Sequence, residues 1–84
     1  MAQTDRANAA RRATGDVVRA SILAELARRR DAGEPAPTMT TLARTLRCHR
    51  MTAVYHANIL AAAGLVEWTE PADGIRVLRL ASTD

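Results

Sequence analysis

The apolar residues of this chain change period once, at Gly64, and that change limits the folds open to it. Before Gly64 they recur at helical spacing. After it come two short segments rich in β-branched and apolar residues, Leu65–Thr69 and Ile75–Leu80. They are separated by Glu70-Pro71-Ala72-Asp73-Gly74, whose Asp-Gly pair predicts a hairpin. Two such strands are not stable alone in water, so the hairpin must pack on the helices that precede it. With 84 residues the chain makes one small domain with one modest core. The predicted class is mostly α with a small β-hairpin.

Three helices precede the hairpin. In the first, Val18, Ile22, Leu23 and Leu26 form an apolar stripe, and Asp16 stands where an N-cap or first-turn acid belongs. Arg28–Arg30 complement the C-terminal end of its dipole, Gly33 stops it, and Glu34-Pro35-Ala36-Pro37 makes a rigid connector. Thr40 is the predicted N-cap of a short second helix, with Met39 as an apolar anchor before it and Leu42, Ala43 and Leu46 on its buried side. Arg47-Cys48-His49 is long enough only for a tight turn. A third helix runs from about Arg50 to Ala63 and ends at Gly64. Residues 1–14 are polar, rich in Ala and Arg, and lack a core-forming stripe; they form a flexible arm or an extra N-terminal helix, leaving residues 15–84 as the folded domain.

Charge narrows the function. All twelve basic residues are Arg, and the net charge is +3. No acid occurs between Glu34 and Glu67, whereas Arg44, Arg47, Arg50, His49 and His56 all fall there. A polyanion is welcome on such a stretch, because each Arg–phosphate contact also releases condensed counterions. Catalysis is excluded on the residues: there are no paired carboxylates near a nucleophile, no Gly-rich phosphate loop and no metal quartet. Cys48 is the single cysteine, so neither an internal disulfide nor a cysteine-rich zinc site is expected, and it reads as a buried turn thiol. No apolar run approaches membrane-spanning length and the N-terminus has no signal-peptide core. A soluble cytoplasmic protein without cofactor, metal or small-molecule ligand is expected.

The stretch TMTTLARTLRCHRMTAVYHANILAAAGLVEW, with Leu42-Ala43, Leu46, Thr52, Leu60 and Gly64-Leu65-Val66 at their spacing, resembles the winged helix-turn-helix regulators of the MarR, ArsR and GntR kinds. With the hairpin the resemblance covers roughly residues 16–81, and its spacing is more specific for the fold than for one family within it. It implies a three-helix domain with a two-stranded wing and a role as a small prokaryotic or phage transcriptional regulator binding double-stranded DNA.

The chemistry of the third helix agrees with that implication. At ~100° per residue, Ala53, Ala57 and Leu60 share one stripe, which must face the core. Met51, Val54, Tyr55 and Asn58 then lie opposite, with Arg50 at the edge. An apolar face with one amide suits thymine methyls and base edges in a major groove, with Asn58 or Arg50 supplying hydrogen bonds. Arg44 and Arg47 suit phosphate contacts, as do the hydroxyls and amides of Thr40 and Thr41 at a helix N-terminus. His49 stands where such regulators often have Ser, so it is either a cap or a phosphate contact. His56, on the flank of the core stripe, is read as structural. At the wing, Glu70 and Asp73 occupy a tip that is often basic, so one phosphate contact from Arg76 is expected and no deep minor-groove insertion. Trp68 is expected to pack the hairpin onto the helices.

Two other readings fit the same fold: a winged-helix module that binds protein, and a DNA-binding protein of plasmid or phage maintenance. A homodimer is expected, since one small module reads too few base pairs for specificity. The arm and first helix, with Ala7, Ala9, Ala10 and Ala13, offer one surface for it. The other is the last strand, where Ile75 and Val77 face away from Leu78 and Leu80.

Overall fold

The computed structural model describes residues 16–82; the arm expected over residues 1–14 lies outside them. Three helices and a hairpin follow one another: α1 (Val17–Ala32), α2 (Met39–Leu46), α3 (Arg50–Ala62), β1 (Val66–Ala72) and β2 (Ile75–Leu80). This is the expected order.

α1 begins because Asp16, in extended conformation, accepts the backbone N–H groups of Val18 at 2.8 Å and Arg19 at 3.3 Å. It ends because Gly33 turns left-handed at φ 69°, and the Gly33 and Glu34 N–H groups bond back to the carbonyls of Arg30 and Arg29. Open space surrounds the position a Gly33 Cβ would take, so the backbone conformation and not crowding selects glycine there.

α2 starts two residues earlier than expected. Thr38, not Thr40, is its N-cap, and the Thr38 Oγ1 accepts the Thr41 N–H at 3.2 Å. Met39 is therefore the first helical residue and is buried, while Thr40 is exposed within the first turn. α2 closes on Arg47 at φ 56°, ψ 44°, a left-handed conformation occupied here by a side chain. The Arg47 and Cys48 N–H groups bond to the Arg44 and Ala43 carbonyls, which completes the tight turn. His49 caps α3 through its ring, with Nδ1 accepting the Met51 N–H at 3.2 Å. Cys48 is half-buried against the core rather than fully buried.

Ile22 and Leu26 of α1, Met39, Leu42 and Ala43 of α2, and Ala53, Ala57 and Leu60 of α3 make the core with Val66 and Leu78 of the hairpin. Ile22, Leu42, Leu60 and Leu78 are fully enclosed. Each such side chain contributes about 1.5–3 kcal/mol by leaving water. Ala53 and Ala57 are fully buried and carry the inner face of α3 with small side chains. The hairpin is antiparallel, pairing Val66 with Leu80 and Trp68 with Leu78. β1 extends beyond the expected Thr69 to Ala72, with an irregularity between Thr69 and Ala72 that absorbs Pro71. The wing is thus longer and its turn tighter than the spacing implied. On β2 the expectation for the outward pair holds by half: Ile75 is exposed, but Val77 is buried. The Leu78 N–H bonds to the Pro37 carbonyl at 3.0 Å, fastening the connector to the hairpin.

Candidate nucleic-acid interface

α3 presents its outer face between the α2–α3 turn and the wing. Arg50, Met51, Tyr55, Asn58 and Ala62 are exposed along it, as the wheel requires when Ala53, Ala57 and Leu60 point inward. Met51 is 63% and Tyr55 62% exposed, which leaves two large apolar side chains uncovered by any helix among the described residues. Val54 departs from its expected place on that face. It is half-buried and packs against the core margin, because it lies nearer the wing than the centre of the free face.

Tyr55 has a lateral support. Its ring meets the His56 ring edge-on, with centroids 5.0 Å apart and planes at 77°. His56 Nδ1 in turn accepts from Arg19 at 3.1 Å and stands 3.9 Å from the Asp16 carboxylate. Desolvation, the largest single influence on Asp16, raises its pKa, but the Arg19 and Val18 N–H bonds and the nearby Arg19 guanidinium outweigh it and leave the carboxyl below its usual range. This link between the start of α1 and the middle of α3 has no signature in the sequence. Its partners are 37 positions apart, so no local spacing marks them.

The cations divide sharply. Arg44, Arg47 and Arg50 are exposed and make no ion pair among the described residues. Arg76 lies over the Trp68 ring at 4.5 Å, a cation–π contact that holds its guanidinium at the wing base and leaves the residue exposed. Trp68 itself is half-buried against the core, as expected. Arg79 is spent within the hairpin on Glu67, at 2.6 Å. At the wing tip Glu70 and Asp73 are exposed.

A cleft between α3 and the wing gathers Thr40, Arg50, Met51, Val54, Ile75 and Arg76. Thr41, Arg44, Arg47, His49, Tyr55 and Asn58 are not on its walls. Thr41 is half-buried and takes part in the Thr38 cap, its Oγ1 accepting from the Thr38 hydroxyl at 3.1 Å. His49 serves as a cap, the first of its two expected roles. The result is an apolar ridge on α3 flanked by unpaired guanidinium groups, an arrangement that can take phosphates on either side of a groove. Among the described residues no three His, Cys, Asp or Glu side chains gather as metal ligands, and no helix is long and apolar enough to cross a membrane.

No protein-family model matches the sequence, and no curated protein matches it significantly. Solved structures do match in shape. One is the solution structure of a homodimeric winged helix-turn-helix DNA-binding domain from Mycobacterium bovis, a possible ArsR-family transcriptional regulator. It aligns with a TM-score of 0.82 at 22% identity over 96% of this chain and 68% of that one. A crystal structure of an ArsR-family transcriptional regulator aligns at 0.72 and 18% identity, over 92% of this chain and 72% of that one. With three helices, a tight turn before the third and a two-stranded antiparallel hairpin behind it, the chain has the winged helix-turn-helix fold.

Proposed function

We propose that the protein binds double-stranded DNA sequence-specifically, with α3 in the major groove, and acts as a small transcriptional regulator. The observation that carries this reading is the segregation of charge. Among the described residues, Arg44, Arg47 and Arg50 lie beside the free face of α3 with no carboxylate paired to them, while most other described arginines are paired. An unpaired cluster of this kind is costly to hold together unless a polyanion completes it. Arg50, Met51, Tyr55 and Asn58 read base edges, and Val54 borders them from the cleft. Arg44, Arg47 and Arg76 contact phosphates, joined by Thr40, Thr41 and His49 through hydroxyl, amide and ring N–H groups. The acidic wing tip stays out of the minor groove.

The fold neighbour from Mycobacterium bovis is a homodimer. A twofold pair of this chain would read two half-sites about one helical turn apart. Pairing of this kind gives a small domain the specificity a single recognition helix lacks.

Binding of a random-sequence duplex, followed by fluorescence anisotropy across a salt series, tests the reading. Arg44→Ala, Arg47→Ala and Arg76→Ala should each weaken binding to all duplexes and lower the salt slope by about one unit. A wild-type protein that binds no duplex at 50–100 mM salt overturns it (roughly the range in which phosphate contacts are strong).

A further inference from the structure

The free face of α3 carries a second message about which DNA it fits. Four side chains dominate it: Arg50, Met51, Tyr55 and Asn58. Only one of them is charged, and two are large apolar groups each more than half exposed. Guanine is best recognised by a bidentate Arg, and only Arg50 is available, at the first residue and the edge of the face. At ~100° per residue, Asn58 projects in nearly the same direction as Met51, two turns further on, with Tyr55 beside them. Asn is the side chain that matches adenine, accepting from N6 and donating to N7. The partner base of adenine is thymine, the only standard base with a methyl group in the major groove.

We infer that α3 reads consecutive A·T pairs, with Asn58 on adenine and Met51 and Tyr55 covering the C5 methyl groups of thymine. This rests on the DNA-binding reading above and names the base chemistry of that same face. The two kinds of contact are mutually consistent, since an amide on adenine and an apolar side chain on a thymine methyl select the same base pair from its two strands. The His56 ring, anchored by Arg19 and meeting Tyr55 edge-on, limits the freedom of the tyrosine. A held aromatic ring loses less entropy on covering a methyl group than a mobile one. The same face discriminates poorly among G·C pairs, because one guanidinium cannot serve several guanines. Charge complementarity comes from Arg44, Arg47 and Arg50, which place the apolar ridge against a phosphate-lined groove rather than against an apolar partner.

The test begins with selection of duplexes from a random library by the full chain. The recovered sites should share a core of adjacent A·T pairs. Each thymine of that core is then replaced, one at a time, by deoxyuridine, which keeps the pairing and lacks only the C5 methyl. Affinity should fall about fourfold at each thymine covered by Met51 or Tyr55, the equivalent of about 0.8 kcal/mol for one buried methyl. Met51→Ala should abolish the difference between thymine and deoxyuridine at its own position. Arg44→Ala should weaken both duplexes alike. Met51 and Tyr55 are exposed, so their variants should keep the wild-type circular dichroism and melting midpoint. Recovered sites rich in G·C, or unchanged affinity with every deoxyuridine, overturn the A·T inference while leaving DNA binding intact. Recovery of no duplex at all overturns both.

Discussion

Two groups of arginines in this small domain are the same residue type in opposite circumstances. At the C-terminal end of α1, Arg28 and Arg29 both bond the Glu25 carboxylate, at 2.8 and 2.7 Å, and Arg28 also reaches Glu34 across the helix end. At the α2–α3 turn, Arg44, Arg47 and Arg50 face solvent and pair with no carboxylate among the described residues. The first group closes its charge internally and fixes where α1 meets the connector. The second leaves its charge open, although the chain has nine acids with which it could have been closed. Paired charge serves the fold; the unpaired charge is the part of the surface on which the proposed DNA binding rests.

The sharpest way to break that contrast is charge reversal. Arg44→Glu combined with Arg47→Glu should lower affinity for any duplex roughly a hundredfold at moderate salt, with little change in melting temperature. Fluorescence anisotropy and thermal unfolding measure the two halves of that statement. A loss of the same size from Arg30→Glu, on α1, would erase the distinction between the two groups.

A smaller effect is expected on the closed side. Bonding to Arg28, and secondarily to Arg29, holds the Glu25 carboxyl down to about 2, from an ordinary 4.5. A carboxyl whose folded value is depressed stabilises the native state fully above its unfolded value, and that contribution disappears as pH falls through the folded one. Glu25→Gln should therefore cost about 1 kcal/mol near neutrality, a figure suited to a partly exposed ion-pair network. Denaturant titrations at several pH values should show the variant and wild type converging as pH falls from 4.5 toward about 2. DNA affinity should not change; a change would mean that the α1 network also shapes the recognition surface.

The smallest effect sets the two demands against each other at one residue. Arg47 belongs to the open group, yet its backbone sits at φ 56°, where a side chain is strained and glycine is not. Arg47→Gly should raise the unfolding free energy by about 0.5–1 kcal/mol while removing one unit of salt slope from DNA binding. A loss of stability instead would mean that the Arg47 side chain supports the turn in a way its exposure does not indicate.

Much of this architecture was legible from local chemistry. Asp16 and Gly33 bound α1 as their side-chain and backbone preferences require, and the Asp73-Gly74 pair closes the hairpin. The N-cap of α2 is not fixed by local sequence, because Thr38, Thr40 and Thr41 are chemically equivalent. The choice among them is made by Pro37, whose carbonyl is bound to β2, and by burial of Met39. β1 was read too short because Pro71 looks like a strand breaker, whereas a bulge at an edge accommodates it. On α3 the apolar spacing separated the inner from the outer face but could not resolve Val54, which lies between them. The contacts of His56 with Arg19 and of Arg76 with Trp68 depend on tertiary placement and on rotamers, about which periodicity is silent.

The bond from the Leu78 N–H to the Pro37 carbonyl also bears on how the sheet ends. β2 is flanked by β1 on one side and by the connector on the other, so its outer edge is occupied at Leu78. Among the described residues the outer edge of β1 is the one left open, and it is blunted three times over. Pro71 has no N–H to offer, the irregularity between Thr69 and Ala72 breaks the regular ladder, and the exposed Glu70 brings charge to any strand that approaches. A two-stranded sheet would otherwise be an invitation to grow by adding strands from other copies. Here such growth finds no continuous template, so aggregation through the wing is disfavoured even at high local concentrations of the chain.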